Sequence, residues 1–336
     1  MSVAPVGPRG SGGPGGMGGS PGTPLHWAEA WAPASVGNVS VGFDLLGHSL
    51  EVAGDRVRVE RVDAPEPGAE VVVEAMDGLP VDLPFEAERN TAGAALLALR
   101  RQRQIKFGFC LRIHKGISLG SGMGGSAASA VAAVVAANHL LETPLSAEAL
   151  YPFALAGEGV ASGSPHGDNV APQLLGGLVL AFPDRLLRLP VPWELHCALV
   201  HPHQVLETRR SRAVLTEPYP LSAFVEQGGL LTRVVSACFT GELDLLRNGL
   251  RDVLVEPRRA PLIPGFPEAK AAALAAGALG AGISGGGPSL FAWCVDRATG
   301  EAARDGMVQA FRELGIEADG WIAPVEGPAA RVTSCG

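Results

Sequence analysis

Residues 119–142 read LGSGMGGSAASAVAAVVAANHLLE, a glycine-rich loop joined directly to an alanine-rich segment. The segment from Ser126 to Glu142 carries Val and Leu at helical spacing among alanines, which predicts a helix. The preceding stretch, Phe107 to His114, predicts a strand. Between a strand and a helix, free backbone N–H groups and the helix dipole can receive phosphate oxygens. The stretch therefore predicts an anion-binding loop, and the alternative is a flexible connector in a glycine-rich chain.

Two familiar phosphate-binding motifs can be tested against this loop. The P-loop requires a lysine directly after its glycines, and none follows Gly125. Gly120, Gly122 and Gly125 do satisfy the G-x-G-x-x-G spacing of dinucleotide-binding folds. That fold also needs a second strand ending in an acidic residue after the helix, whereas Glu142-Thr-Pro-Leu is typical of a helix end. A dinucleotide-dependent oxidoreductase therefore stays only as an alternative.

The composition is typical of a soluble globular protein. The chain has 336 residues, 47% of them hydrophobic and 18% charged, with a formal net charge of −8, and this length predicts two domains. The acidic balance argues against a nucleic-acid partner, and no apolar run reaches the length of about 18 residues that would predict a membrane span. The five cysteines are scattered without a C-x-x-C pair, which argues against a disulfide scaffold or a zinc ribbon. A reducing compartment, the cytoplasm, is the predicted location.

The predicted elements follow a tail that is almost free of apolar side chains. Residues 1–24 are mostly Gly, Pro and Ser and predict a disordered tail. Strands cluster early and helices are irregularly interleaved, which favours the α+β class. The pattern is extended from 26 to 62, and over 55–62 valines alternate with charged residues. Further predicted strands cover 70–74, 107–114, 177–182, 194–200 and 289–295, and the predicted helices cover 91–102, 126–142, 147–157, 221–240, 242–254, 268–279 and 300–314.

Three further segments are unusually polar for their surroundings. Residues 34–44 place Asn38 and Asp44 in a glycine-containing turn between apolar stretches. Residues 157–169 gather two carboxylates, an imidazole and an amide. Residues 282–289 form a second glycine loop that leads into a strand. Each segment alone could be a capped turn, so it is their combination that indicates a site.

These segments occur in the order of the three motifs of the GHMP kinases, and the chain resembles that family over about residues 30–325. The family pattern P-x-S-x-x-N-x-x-x-G-F-D matches residues 33–44, G-L-G-S-S-A-A-S matches 122–129 and G-S-G-P-S matches 285–289. Gly125 and Gly286 stand where the family usually has Ser. Ser126 and the backbone donors remain, so neither departure removes the expected phosphate site.

One subfamily of the GHMP kinases, the kinases that phosphorylate homoserine, is matched most specifically. The segment H-x-D-N-V-A-P at 166–172 resembles it, as do T-x-x-x-R at 208–212 and E-P-x-R at 256–259. The resemblance implies transfer of a phosphoryl group from ATP to the side-chain hydroxyl of homoserine. A kinase acting on mevalonate or a diphosphocytidyl sugar alcohol is one alternative. A non-catalytic binding protein on the same fold is another, against which intact Ser126 and Glu158 argue.

The resemblance also implies the architecture. An N-terminal domain, 25–183, would be similar to ribosomal-protein-S5 domain 2. A C-terminal domain, 184–336, would be similar to a ferredoxin-type sandwich, with ATP and substrate in the cleft between the two domains. The family further implies a homodimer.

The same resemblance assigns the ATP site. Asn90 would contact adenine, and Ser126 and Glu158 would hold Mg²⁺, which prefers oxygen ligands together with phosphates. The triphosphate would contact both glycine loops, namely Gly120, Ser121, Gly122, Met123, Gly124, Gly125, Ser126, Gly285, Gly286 and Gly287.

For homoserine, the resemblance implies a partner for each polar group. Asp44 suits the ammonium, and Arg212 and Arg259 suit the carboxylate by bidentate pairing. The alternatives for these arginines are solvated surface charges or a shifted register, because Arg209, Arg210 and Arg258 are adjacent. Asn38, His166 and Asn169 would orient the substrate around its hydroxyl. The catalytic candidates are Glu158, Ser126, Asn169 and Asp168, of which Asp168 is not expected to be an obligatory base.

Overall fold

The structure is a computed structural model that describes residues 25–80, 82–163 and 165–336. The predicted tail, residues 1–24, lies outside the described residues. Within the described part of the chain, no helix is both long and apolar enough to cross a membrane.

The first sheet is built around a long strand in which valines and charged residues alternate. Val57 and Val59 are buried, whereas Arg56 on the other face is exposed, as the period of two requires. The strand order is β11-β1-β2-β4-β3, in which only β3 and β4 are parallel. Strand β5 pairs with the start of β2, and β6 pairs with β5. The strands are β1 (Trp27–Gly37), β2 (Leu46–Val62), β3 (Val71–Gly78), β4 (Gly108–Lys115), β5 (Leu178–Ala181), β6 (Leu186–Arg188) and β11 (Arg331–Cys335).

Four helices accompany this sheet: α1 (Thr91–Gln102), α2 (Gly125–His139), α3 (Ala147–Ser162) and α4 (Gly167–Leu175). Helices α2 and α4 lie against β1 and β2, and α1 and α3 pack on α2. Helix α2 is apolar on every side and is therefore buried among the sheet and the other helices. The glycine loop that precedes α2 is thus anchored at its C-terminal end by a buried helix.

The second sheet has the order β10-β7-β9-β8 and is antiparallel throughout. Its strands are β7 (His196–Pro202), β8 (Gly280–Ile283), β9 (Leu290–Cys294) and β10 (Ala318–Pro324). A group of helices separates β7 from β8, and α10 (Arg297–Glu313) separates β9 from β10, which is the β-α-β-β-α-β order of a ferredoxin-like sandwich. The intervening helices are α5 (Thr208–Ala213), α6 (Leu221–Thr240), α7 (Leu243–Gly249), α8 (Glu256–Arg259) and α9 (Phe266–Ala275), with a 3₁₀ turn at Ala260–Leu262.

The two sheets share a core that contains a polar link. The indole N–H of Trp293 on β9 donates to Nε2 of His48 on β2 over 3.1 Å, and both side chains are fully buried. Burial lowers the pKa of His48 to about 4, so the ring is neutral and accepts this hydrogen bond at neutral pH.

The α+β class with two sheets of these kinds is confirmed. Helices α1 and α6 have the predicted bounds, but the helix predicted over 242–254 ends at Gly249. Helix α4 was not predicted, because its polar Gly-Asp-Asn start precedes an apolar face of Val170, Ala171 and Leu174. Six other short elements were not predicted: β6, β8, β10, β11, α5 and α8. The domain division at 183/184 stays a prediction, and β6 and β11, which it assigns to the second domain, lie in the first sheet.

Candidate active site

A cavity of about 530 Å³ lies where the polar segments and both glycine loops meet. This volume is in the range of small-molecule sites, which is roughly 300–1,000 Å³. The cavity is lined by every predicted site residue except Asn90 and Met123: Asn38, Asp44, Gly120, Ser121, Gly122, Gly124, Gly125, Ser126, Glu158, His166, Asp168, Asn169, Arg212, Arg259, Gly285, Gly286 and Gly287.

The glycine loop from Gly120 to Gly124 has a backbone that requires glycine. Gly122 and Gly124 have φ of +76° and +73°, in the left-handed region. A Cβ on Gly122 would lie 2.5 Å from the Ser284 carbonyl oxygen, and a Cβ on Gly124 would lie 2.1 Å from Ser35 Oγ. Gly124 is the N-cap of α2, so the first N–H groups of that helix are left to a ligand. The loop therefore presents backbone donors rather than side chains.

Ser126 and Glu158 form an oxygen pair at the start of α2. Glu158 projects from α3 and is buried, and burial raises its pKa to about 7, while a hydrogen bond with Ser126 acts in the opposite direction. Hydroxyl and carboxylate oxygens are ligands that suit Mg²⁺, which typically binds through one or two protein groups together with phosphates. Among the described residues, no group of three or more His, Cys, Asp or Glu could hold a metal ion without such a phosphate.

An ion pair between Asp44 and Arg212 also lines the cavity. Arg212 Nη2 lies 2.6 Å from Asp44 Oδ1, and His166 Nδ1 lies 3.4 Å from Asp44 Oδ2. Burial lowers the pKa of His166, although Asp44 raises it. Asp44 has a φ of +60° and closes the tight turn that follows β1. A carboxylate, a guanidinium and an imidazole thus face one another in partly exposed positions.

Of the two arginines in the E-P-x-R motif, Arg259 is the one that lines the cavity. It is 2% exposed, and its guanidinium donates from Nη1 to the Gly285 carbonyl over 2.9 Å and from Nε to the Ser211 carbonyl over 3.2 Å. Burial and the charge of Arg212 lower the pKa of Arg259 to about 10. The neighbouring Arg258 instead lies over the ring of Tyr219, with 3.6 Å from Cζ to the centroid. At the other arginine motif, Arg209 lines the cavity beside Arg212, and the sequence did not single it out.

Asp168 and Asn169 begin α4 at the floor of the cavity. Asp168 Oδ2 accepts the Asn38 N–H over 3.0 Å. Burial and the nearby Asp44 raise the pKa of Asp168 to about 7. Asn169 Oδ1 accepts a hydrogen bond of 2.9 Å from Ser35 Oγ. The two side chains are therefore held by the first motif, across more than a hundred residues of chain.

Three predicted residues are placed differently from the expectation. The amide of Asn38 joins two protein segments, because its Oδ1 accepts the Asp44 N–H over 2.9 Å and its Nδ2 donates to the Gly285 carbonyl over 2.7 Å. Asn90 caps α1 through the N–H groups of Ala92 and Gly93 and does not reach the cavity. The Met123 side chain is buried beneath the loop. The predicted ATP contacts of Asn90 and Met123 stay predictions.

The sequence did not predict several polar residues that connect the motifs. Gln173 Nε2 donates to the Gly124 carbonyl over 3.0 Å and to Ser35 Oγ over 3.1 Å. Ser284 Oγ donates to the Gly122 carbonyl over 2.7 Å and so joins the two glycine loops. Asp55, which the sequence did not single out, is fully buried. The signal was present, since Asp55 has the parity of the buried Val57 and Val59.

Comparison with known proteins agrees with this geometry. The family models for the GHMP kinase N-terminal domain and the GHMP kinase C-terminal region match residues 90–177 and 234–313. A protein of Xanthomonas campestris pv. campestris named homoserine kinase is 57% identical over 305 residues, which cover 91% of this chain and 94% of that one. The homoserine kinase of Xylella fastidiosa strain 9a5c is 54% identical over 91% of this chain and 94% of its own. The crystal structure of homoserine kinase from Cytophaga hutchinsonii is similar with a TM-score of 0.87 and 37% identity, over 93% of this chain and 98% of that chain.

Proposed function

The chain belongs to the homoserine kinases of the GHMP kinase family, and from that premise we propose how its cavity transfers a phosphoryl group from ATP to homoserine. The observation that carries the proposal is a single cavity with a backbone anion site at one side and an Asp–Arg pair at the other. The first suits a triphosphate and the second suits an amino acid, which carries both charges.

The phosphates of ATP lie along the loop from Gly120 to Ser126. The loop donors belong to the backbone, so they are fixed before ATP arrives and lose little freedom on binding. The second glycine loop, at Gly285 to Gly287, closes the site from the other sheet, and Ser284 holds it against Gly122. Together the two loops orient the terminal phosphate toward the floor of the cavity.

Ser126 and Glu158 are the residues that would hold Mg²⁺. Bound there, the ion would supply charge neutralisation at the phosphate oxygens, which is its usual contribution in phosphoryl transfer. Because burial raises the pKa of Glu158 to about 7, the carboxyl must lose its proton when it takes up this role.

Homoserine replaces the internal ion pair. Its ammonium takes the place of Arg212 beside Asp44, and its carboxylate then binds Arg212 and Arg259. A ligand with only one of these charges would break the Asp44–Arg212 pair without giving both groups a new partner, which weakens binding. The pair thus favours zwitterions over mevalonate, which has a carboxylate and no ammonium.

The floor of the cavity positions the acceptor hydroxyl. Asn169, His166 and Asp168 lie there, with Asn169 held by Ser35 and Asp168 by the Asn38 N–H. The transition state of phosphoryl transfer is loose and needs little nucleophilicity from the attacking oxygen. Positioning of the hydroxyl in line with the leaving ADP therefore provides most of the acceleration. As the new P–O bond forms, the bond between the γ-phosphorus and the ADP oxygen breaks, and the hydroxyl proton passes to the transferred phosphoryl group or to water.

The experiment is an ADP-release assay with homoserine, mevalonate and shikimate, extended by 4-hydroxybutanoate and 3-aminopropan-1-ol. The last two compounds keep the hydroxyl and lack the ammonium or the carboxylate, respectively. Homoserine should be the preferred acceptor, and each analogue should lose at least about tenfold in kcat/KM. Faster turnover of mevalonate, or equal turnover of the two analogues and homoserine, would reject the proposed site.

The homodimer, the cytoplasmic location and the lack of a nucleic-acid partner remain predictions. Size-exclusion chromatography with light scattering measures the first. Salt-dependent retention on a nucleic-acid column measures the last, because phosphate contacts weaken steeply with salt.

A further inference from the structure

A cluster of charged and polar side chains lies beneath the glycine loop, behind the residues that line the cavity. Asp55 on β2 is 0% exposed, Lys115 at the end of β4 is 1% exposed and Ser129 in α2 is 3% exposed. None of the three is among the described residues that line the cavity. The function proposed above assigns them no role. Buried ion pairs are weak evidence for stability as such, because desolvation offsets their attraction, so a positional role has to be considered.

The Asp55 carboxylate joins the start of the glycine loop to α2. Its Oδ1 accepts the N–H groups of Gly116 and Ile117 over 3.0 and 3.1 Å. Its Oδ2 accepts Ser129 Oγ over 2.6 Å and also contacts Lys115 Nζ. One carboxylate therefore anchors the first residues after β4 and the second turn of the helix that follows the loop.

The Lys115 ammonium reaches the residue that precedes Ser126. Its Nζ donates to the Gly125 carbonyl over 2.9 Å, to Ser129 Oγ over 2.9 Å and to the Asp55 carboxylate. The Gly125 carbonyl and the Ser126 N–H belong to one planar trans peptide and point in opposite directions. The hydrogen bond from Lys115 therefore restrains the carbonyl on the side of the buried cluster, with the Ser126 N–H pointing away from that cluster. Gly125 and Ser126 also line the cavity.

We propose that Asp55, Lys115 and Ser129 are positioning residues that hold the glycine loop and the Ser126 peptide in the orientation that binds ATP. The inference rests on the proposed function for the identity of the ligand, ATP. It predicts that the cluster governs ATP affinity and turnover and leaves homoserine affinity unchanged. Ser129 is the sharpest probe, because it carries no charge and touches both partners.

The test is Ser129→Ala, with Ser49→Ala as the matched control. Ser49 is also a fully buried serine, but its Oγ has no hydrogen-bond partner and it lies outside the cavity. Nucleotide affinity is measured by calorimetry without acceptor, and kcat and both KM values in the ADP-release assay, well below the melting temperature. Ser129→Ala should weaken ATP binding and lower kcat by about tenfold each, as supporting residues typically do. The KM for homoserine should change less than about twofold, and Ser49→Ala should change none of these values.

Equal ATP affinity and kcat in both variants, even with a lower melting temperature for Ser129→Ala, would overturn the proposal. If Ser129→Ala does not fold, the double variant Asp55→Asn with Lys115→Met replaces it, because this variant removes both charges and keeps an acceptor for Gly116 and Ile117. The double variant should then show the same loss of ATP affinity, and wild-type affinity would contradict the inference. Calorimetry with ATP needs no acceptor. The ATP affinities can therefore still be compared if homoserine proves not to be the substrate.

Discussion

The two sides of the cavity differ in composition: one is formed by main chain and the other by charged side chains. The phosphate side is backbone: glycines in left-handed conformations and the first turn of α2, held from behind by buried side chains. The acceptor side consists of charged side chains, Asp44, Arg212 and Arg259, two of which pair with each other. The phosphate side therefore depends on the shape of the main chain. The acceptor side depends on charges that can exchange partners.

This difference predicts how each side fails. A change of shape at the phosphate side should weaken nucleotide binding and lower turnover whatever the acceptor. A lost charge at the acceptor side should weaken one substrate and spare the other. The substitutions below test that distinction.

The largest effect is expected for Glu158→Ala, which removes the carboxylate proposed for Mg²⁺. Activity should fall by at least about 100-fold, because the charge neutralisation lost is worth several kcal/mol in phosphoryl transfer. ATP affinity should change less than kcat, which steady-state kinetics at saturating Mg·ATP will separate. Wild-type turnover by this variant would remove Glu158 from the site.

The shape of the phosphate side is tested by Gly124→Ala. The new Cβ would lie 2.1 Å from Ser35 Oγ at a φ of +73°, so the loop must move. A displacement of about 1 Å can reduce turnover by about 100-fold, and we expect a loss of that order with weaker ATP binding. Gly241→Ala is the control, since Gly241 has a φ of +75° and nothing within 4 Å of the added Cβ. If both variants keep wild-type ATP affinity, ATP binding does not depend on the main-chain conformation of the loop.

Asp168→Asn tests whether the floor of the cavity acts by position or by proton transfer. The variant should fold and lose less than about 100-fold in kcat, near the lower end of what a true general base contributes. The kinetics are to be measured together with the melting temperature and ATP affinity. A larger loss with both of these unchanged would identify Asp168 as the base.

The acceptor side is tested by Arg259→Ala, with Arg258→Ala as the control. The KM for homoserine should rise at least about tenfold, as a charge-assisted pair of roughly 1.5–3 kcal/mol is lost, while ATP binding barely changes. Arg258 lies over Tyr219 outside the cavity, so its loss should leave the KM unchanged. If Arg258→Ala raises the KM and Arg259→Ala does not, the substrate arginine is Arg258 rather than Arg259.

The smallest effect is a pH dependence. Burial raises the pKa values of Glu158 and Asp168 to about 7, so at lower pH both carboxyls gain protons in the free enzyme. Because Mg²⁺ needs the ionised Glu158, kcat/KM for ATP should fall as the pH drops below about 7. The fall of kcat/KM at low pH, the acid limb of the profile, should persist in Asp168→Asn. Its disappearance there would assign the limb to Asp168 rather than Glu158.

The sequence alone was enough for the parts of the molecule that depend on local pattern. The three motifs, the long apolar helix α2 and the bounds of α1 and α6 follow from spacing and composition within one segment. Most of the predicted site residues also line the cavity, since each motif carries its own polar residues whatever the rest of the chain does. The short buried strand β8 was not predicted, because four small or apolar residues have no periodicity that separates them from a loop or helix.

Only the tertiary structure decided which of these residues touch. Asn38 bonds to Gly285, 247 residues away in the chain, and so becomes a brace between two motifs rather than a free substrate ligand. Arg259 rather than Arg258 faces the cavity because the turn of α8 directs it there. Asp55 and Lys115 pair in the core because β2 and β4 bring them together beneath the loop. Burial and partner choice depend on segments far apart in sequence, and a local pattern carries no information about them.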